Sequence, residues 1–260
     1  MTKHKINLPI KSAILSIAII IVLVFILGYI RTSLRNLDYF KIKDIAVNEP
    51  QEAFDFSYLS GRNIFNIDLK KESRHISELY SVYKNIRLLR LLPNRLFIVF
   101  TERNPIAYVK LYRYFCVDRE GVLFDMPQGR ETGDLPVIIG LERKIPGPSP
   151  GKQYNSKELI AALNIIKESE TNNLLKKYKI ERIDVLNLSG ISCFIRLLGY
   201  SKGQAAADFK AVEVKIGADD IGDKIRILAG LFAQMGEDIN NIKYIDLRFK
   251  EPVVKFKNAT

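Results

Sequence analysis

The chain has 260 residues, a formal net charge of +11, two cysteines and two histidines. Two cysteines are too few for a disulfide-stapled scaffold. Because His4 and His75 are the only histidines in the sequence, a histidine-based triad or a multi-histidine metal site is nearly excluded. The chain is long enough for one large or two small domains beyond an apolar N-terminal segment.

The chain begins with an apolar run, residues 12–30, that contains no charged side chain. As a helix this run would be roughly 28 Å long, close to the thickness of a bilayer's hydrocarbon core. The tail before it, residues 1–11, carries Lys3, Lys5 and Lys11 and no acidic residue, which favours a cytoplasmic tail and an exported bulk. A cleaved signal peptide is the alternative, but no small-x-small cleavage site follows Gly28. The sequence therefore predicts an uncleaved transmembrane anchor in contact with the lipid bilayer.

The basic charge of the exported part is consistent with an ordinary solvated surface, although anionic lipid headgroups or wall polymers are alternatives. Nucleic acid is not expected as a partner outside the cytoplasm. Cys116 and Cys193 each lie in an apolar, strand-like run. Two separate buried thiols are the favoured interpretation, and a disulfide in an oxidising compartment remains open.

After the anchor, the pattern predicts a compact module of strand, helix, strand, strand. Gly61 and Asn63 indicate a turn, and Asp68 is placed to cap the helix, whose apolar face would carry Ile76, Leu79 and Tyr80. The predicted elements are a strand over 40–47, a helix over 69–80, and strands over 85–91 and 95–102.

From residue 106 onward, short strand signals predominate, interrupted by two helices. Ser156 is a suitable N-cap for the first helix. In the near-terminal strand, Ile245, Leu247 and Phe249 are expected to face a core. The predicted strands are 106–110, 114–118, 122–124, 137–139, 180–186, 191–198, 212–216, 242–249 and 253–256, and the helices are 156–168 and 221–235.

Acidic side chains are the remaining candidates for catalysis. Asp118 and Asp125 flank a turn at Glu120-Gly121, and paired carboxylates can do acid–base work. A solvated hairpin tip explains them better. The residues indicate no convincing catalytic site and no cofactor site.

Several motifs in chain order resemble the FtsQ/DivIB family of bacterial cell-division proteins. LPNRLFIVFTERNPIA at residues 92–107 resembles the end of the family's POTRA module, a small β-α-β-β domain. The Gly61-x-Asn63-Ile64-Phe65 loop is similar to an earlier part of the same module. DREGVLF at 118–124 and YIDLRF at 244–249 are similar to the first hairpin and a near-terminal strand of the family's β-domain.

The resemblance implies an α+β fold. It consists of a single N-terminal transmembrane helix, a POTRA-like β-α-β-β module over 38–105, and a β-rich C-terminal domain with two flanking helices over 106–260. It further implies a divisome scaffold at the septum that is not an enzyme and that couples divisome assembly to septal peptidoglycan synthesis. The protein would be single-pass, with its C-terminal bulk extracytoplasmic. The alternatives are a membrane-anchored cell-wall hydrolase and a POTRA protein in protein export.

The partners that the resemblance implies are small coiled-coil membrane proteins of the FtsB/DivIC and FtsL types, with other divisome proteins bound by the POTRA module. An exposed strand edge is the expected mode of binding. Because Pro252 lacks a backbone donor, a partner strand would pair from Val253 onward. The candidate contact residues are Tyr244, Asp246, Arg248, Phe249, Val253, Val254, Lys255 and Phe256.

Overall fold

The computed structural model describes residues 10–48, 54–126, 135–174, 177–197 and 211–257. The described residues of Met1–Leu79 and Tyr83–Thr101 form one compact unit. Those of Tyr80–Val82 and Glu102–Thr260 form a second. The fold is α+β, as predicted from the sequence. The domain limits at 38–105 and 106–260 stay predictions, and His4 lies outside the described residues.

The chain enters the first unit through a long apolar helix, α1 (Ile10–Asn36). Its segment Ile14–Leu34 is long and apolar enough to cross a membrane. At about 1.5 Å per residue this segment extends about 31 Å. The helix runs six residues past the predicted end at Ile30, because polar residues continue the same hydrogen-bonded ladder. In addition to the backbone bonds of this stretch, the Thr32 hydroxyl donates to the Gly28 carbonyl (2.9 Å).

The rest of the first unit is a three-stranded sheet with one helix, in the predicted order β-α-β-β. Its elements are β1 (Asp44–Val47), α2 (Leu69–Leu79), β2 (Tyr83–Leu91) and β3 (Arg95–Glu102). The strand order is β1-β3-β2, with β1 parallel to β3 and α2 against β2. Leu96, Ile98 and Phe100 of β3 are buried, as their alternation predicts.

Local signals at the start of α2 are confirmed. Asp68 Oδ1 accepts hydrogen bonds from the N–H groups of Lys70 (3.0 Å) and Lys71 (3.1 Å), which the first turn of a helix otherwise leaves unsatisfied. These bonds lower the pKa of the Asp68 carboxyl, the bond from Lys71 most. The capping residue Asp68, followed by an amphipathic run, was therefore sufficient to predict the start of α2.

Two expectations for the first unit are wrong. The strand predicted over 40–47 begins only at Asp44, because residues 38–40 form a 3-10 helix and the Ile42 backbone bonds to Arg62 and Gly61 instead of to a strand. Leu79 is 62% exposed rather than buried. It is the last residue of α2, whose inward face carries Ile76 as its one buried residue.

The second unit contains a nine-stranded sheet and two helices. Within the described residues the strand order is β12-β11-β10-β9-β8-β7-β4-β5-β6. The strands are β4 (Ala107–Lys110), β5 (Tyr114–Val117), β6 (Leu123–Phe124), β7 (Val137–Ile139), β8 (Tyr178–Asp184), β9 (Ser192–Leu197), β10 (Val212–Lys215), β11 (Ile242–Asp246) and β12 (Val253–Phe256), and the helices are α3 (Lys157–Thr171) and α4 (Ile221–Met235).

Both helices contribute to one apolar core with the sheet. Ile225, Leu228 and Phe232 of α4 are buried together with the strand residues Ile183 and Ile245. α3 begins at its predicted cap, where the Ser156 hydroxyl accepts from the Leu159 N–H (3.2 Å). Since side chains alternate along a strand, the strand neighbours of Ile183 and Ile245 point to the opposite face of the sheet.

One expectation for the near-terminal strand is wrong. The strand ends at Asp246 rather than at residue 249, and Phe249 is 61% exposed instead of facing a core. The chain bends over residues 248–251 so that β12 can return antiparallel to β11. Leu247, the last residue before this bend, is buried as predicted.

The two cysteines are free thiols, and both are buried. Burial raises the pKa of Cys116 to about 11 and that of Cys193 to about 12. The interpretation as two separate buried thiols is therefore confirmed.

Candidate functional site

The last strand, β12, forms one edge of the large sheet. Among the described residues its only strand neighbour is β11, with Ile245 opposite Val254 and Asp246 opposite Val253. The outer side of an edge strand presents N–H and C=O groups that a further strand can pair with. The edge is short, at four residues, and it carries Lys255, two features that limit uncontrolled pairing.

The side chains of β12 alternate between two faces, with Val253 and Lys255 on one and Val254 and Phe256 on the other. Val254 is partly buried and packs against the core, in line with its partner Ile245. Val253 and Phe256 are 45% and 50% exposed. Of these three apolar residues, only Val253 and Phe256 therefore offer large apolar surface to a partner.

A polar and aromatic row crosses the outer face of the sheet beside this edge. Tyr244 of β11 lies opposite Lys255 of β12 on one side and Glu213 of β10 on the other. Glu213 in turn lies opposite Phe194 of β9. The Lys215 ammonium is 4.9 Å from the centre of the Tyr244 ring, within the range of a cation–π contact.

Asp246 and Arg248 form a local ion pair at the end of β11. The guanidinium donates from Nε to Oδ1 (2.9 Å) and from Nη2 to Oδ2 (2.6 Å), and the Arg248 backbone N–H also reaches Oδ1 (3.1 Å). These bonds, the side-chain one first, lower the pKa of the Asp246 carboxyl. Asp246 is 5% exposed, and its bonds to Arg248 hold the bend before β12.

A groove of about 1010 Å³ lies on the same face. Its walls combine aromatic and charged side chains, with basic residues in excess. Besides Tyr244 and Lys255, the lining residues include Arg182, Phe194, Glu213, Lys243 and Lys257. The Arg182 guanidinium lies 4.0 Å from the centre of the Phe194 ring.

The structure brings together some of the predicted contact residues and separates others. Tyr244, Asp246, Val253 and Lys255 are neighbours across β11 and β12, while Val254 points into the core and Arg248 and Phe249 lie in the bend. Sequence reasoning missed Arg182, Phe194 and Glu213. Strand alternation could have placed each on an outward face, but not in one row with Tyr244.

The two candidate catalytic carboxylates are each held by an arginine. Asp118 Oδ2 is 2.7 Å from Arg103 Nη1, and Asp125 Oδ1 is 2.6 Å from Arg113 Nη2. The expectation of a solvated hairpin tip is wrong for Asp118, which is 5% exposed. Its Oδ1 accepts from two backbone N–H groups of the turn that it closes.

Comparison with known proteins places these features in a family. Residues 107–248 match the family "Cell division protein FtsQ/DivIB, C-terminal". A Cell division protein FtsQ of Syntrophotalea carbinolica is 25% identical over 223 residues, which is 84% of this chain and 74% of that protein. A Cell division protein DivIB of Clostridium acetobutylicum is 24% identical over 218 residues, 83% and 80% of the two chains. The matched region includes strands β4 to β11 and both helices that pack against them, so the chain belongs to the FtsQ/DivIB family of cell division proteins.

Proposed function

We propose that this chain is a non-enzymatic scaffold of the divisome that binds small coiled-coil membrane proteins of the FtsB/DivIC and FtsL types. In this proposal α1 anchors the protein, the bulk lies outside the cytoplasm at the septum, and binding couples divisome assembly to septal peptidoglycan synthesis. The first unit, similar to a POTRA module, binds other divisome proteins. The observation that carries the proposal is the open edge at β12.

Binding by strand addition fits the chemistry of this edge. A partner strand would pair with the outward N–H and C=O groups from Val253 onward, since Pro252 has no N–H to donate. Val253 and Phe256 would supply apolar contact. Lys255 on the edge and Lys243 in the adjoining groove favour acidic side chains on the partner.

The hydrolase alternative is less well supported, because a carboxylate pair needs a free acid and a free base. Asp118 and Asp125 are each ion-paired to an arginine, and Asp118 is buried. The export alternative requires several POTRA modules or a barrel, neither of which the described residues contain.

The test is co-purification of the full-length chain with the cell's own FtsB/DivIC- and FtsL-type proteins. The variant is V253K/F256K, which places two extra charges on exposed positions of the edge. V254K is unsuitable because Val254 packs on the core. Tyr112→Lys is the matched control, since Tyr112 is 71% exposed and lies in the loop between β4 and β5, distant from β12 in the strand order.

Recovery of both partners with the wild type and Y112K, and their loss with a folded V253K/F256K, is the expected result. If V253K/F256K retains the partners as the wild type does, the edge is not the binding site. If the wild type recovers no such partner, the scaffold proposal itself fails.

A further inference from the structure

A second surface lies in the first unit, where the apolar helix meets the folded module. The loop before α2 is fixed to the end of α1 by Asn63, whose side-chain amide donates to the carbonyls of Leu34 (3.0 Å) and Leu37 (3.3 Å). These carbonyls belong to the last turn of α1 and to the residue after it, where helix carbonyls lack partners within the helix. These two hydrogen bonds therefore fix the loop against the C-terminal end of α1.

Beside this junction is an apolar groove of about 440 Å³, here called the junction groove. Leu27, Ile30 and Leu34 of α1 form one wall, Phe65 of the loop forms the other, and Arg31 and Arg90 complete the lining. The three aliphatic residues lie within Ile14–Leu34, the segment able to cross a membrane. With this segment in a membrane, the aliphatic wall of the groove would border acyl chains rather than bulk water.

The side chains next to the groove are of the kind found at the membrane–water interface. Tyr39, 65% exposed, contacts Phe40 edge to face (5.3 Å between ring centres), and Phe40 contacts Phe65 in the same way (5.1 Å). Aromatic rings with one polar end concentrate at the headgroup level. Tyr39, the one ring of these three with a hydroxyl group, is therefore suited to the headgroup level beside the groove.

Both arginines of the groove are exposed, and among the described residues neither forms an ion pair. Arg90 uses Nε and Nη2 to donate to the carbonyls of Ile64 (2.8 Å) and Ile67 (2.6 Å), so its guanidinium is held in place while its charge is not neutralised. A guanidinium binds a phosphate oxygen well, because its donors match the geometry of the anion.

We propose that the junction groove binds an anionic phospholipid of the surrounding membrane. An acyl chain would lie against Leu27, Ile30 and Phe65, and the phosphate would accept hydrogen bonds from Arg31 and Arg90. The bound lipid would reinforce the Asn63 junction between helix and module. This proposal is independent of the β12 edge and of the partners assigned to it.

The test is native mass spectrometry of the full-length chain released from detergent. Phosphatidylglycerol and phosphatidylcholine with identical acyl chains are titrated separately, and the dissociation constant for the first bound lipid is compared. The expected result is tighter binding of phosphatidylglycerol, weakened about fivefold by Arg31→Gln and further by Arg31→Gln with Arg90→Gln. A photoactivatable phosphatidylglycerol should crosslink to peptides containing Leu27 or Phe65.

Arg87→Gln is the matched control, since Arg87 is an exposed arginine of the same strand as Arg90 that does not line the groove. Arg31→Gln carries the test if the double variant fails to fold, because the Arg31 side chain forms no hydrogen bond to another described residue. Equal binding of the two lipids, or a preference that Arg31→Gln leaves intact, would overturn the proposal. Crosslinking confined to other parts of α1 would overturn it as well.

Discussion

At the residue scale, the Arg103–Asp118 ion pair of the second unit is notable because neither side chain is much exposed to water. Its two side chains are 11% and 8% exposed, so water screens the charges poorly. Further hydrogen bonds surround the pair: Arg103 Nε donates to the Ser81 carbonyl (3.2 Å), and Asp118 accepts from the N–H groups of Glu120 and Val122. The Arg103–Asp118 pair is thus part of a hydrogen-bonded network that includes the Ser81 carbonyl and the turn closed by Asp118.

Replacing Asp118 by Asn should destabilise this unit strongly. The amide keeps the shape of the side chain but leaves the buried Arg103 charge uncompensated, at a cost of about 3 kcal/mol in the free energy of unfolding. For a chain of this size we expect a loss of about 6–12 °C in Tm, measured by circular dichroism of the full-length protein.

Asp223→Asn is the control for that substitution. It breaks the exposed Arg226–Asp223 pair (2.9 Å), which is worth less than about 1 kcal/mol. Equal Tm shifts for the two variants would contradict the importance assigned to the Arg103–Asp118 pair.

The buried thiols predict a dependence of stability on alkaline pH. Burial raises the pKa of Cys116 to about 11 and that of Cys193 to about 12, from an ordinary value of 9.0. The folded state therefore keeps its protons where the unfolded state loses them. The free energy of unfolding should be unaffected by these groups below pH 9 and should fall above it, by up to about 1.4 kcal/mol per thiol and pH unit.

Thiol labelling provides the direct measurement. At pH 8 a maleimide should react slowly with the folded protein and rapidly with both cysteines in urea, as counted by mass spectrometry. Fast labelling of either cysteine in the folded protein would contradict its burial in the structure.

At the scale of elements, short-range signals predicted the bounds of several elements to the residue. The limits of α4, β3, β7 and β12 were all available from periodicity and flanking turns. The failures have tertiary causes. Phe249 has the alternation of a strand residue, but the return of β12 bends the chain before it.

The candidate site shows the same division between local and long-range information. Tyr244, Asp246, Val253 and Lys255 could be proposed together, because β11 and β12 are consecutive and pair with each other. Arg182 and Phe194 join the same groove only because β8, β9 and β10 follow one another in the sheet. No local pattern indicates that order, nor that β7 pairs with β4.

The cap of α3 gives an element-scale prediction. The Ser156 hydroxyl accepts from the Leu159 N–H (3.2 Å), and Ser156→Ala leaves that donor without its partner. We expect a loss of about 1 kcal/mol in the free energy of unfolding, seen as a Tm lower by about 2–4 °C. Ser156→Asp should recover most of the loss, because aspartate is an equally good cap. Equal losses for Ala and Asp would mean that the position matters for packing instead.

At the scale of the whole molecule, the chain belongs to a family of cell-division proteins, and among the described residues one helix, α1 in the first compact unit, is long and apolar enough to cross a membrane. The charges on either side of that helix bear on its orientation. Lys3, Lys5 and Lys11 lie before the apolar run of residues 12–30, and Arg31 and Arg35 lie shortly after it. Because the two flanks are nearly balanced, the orientation should be sensitive to a few charges.

Replacing Lys3, Lys5 and Lys11 together by Gln should therefore invert part of the population. Basic residues near the ends of a membrane helix favour the cytoplasmic side, and in this variant only the flank after the helix would retain them. With wild-type protein in cells whose outer layers have been removed, external protease should digest the bulk of the chain. In the variant a protected full-length fraction should appear.

The control replaces Lys167, Lys177 and Lys179 by Gln. The same number of charges is lost far from the helix, so the orientation should not change. Protection of the wild-type bulk would place it in the cytoplasm and contradict the proposed exported scaffold. Equal protection in the variant and the control would show that total charge, not its position beside α1, sets the orientation.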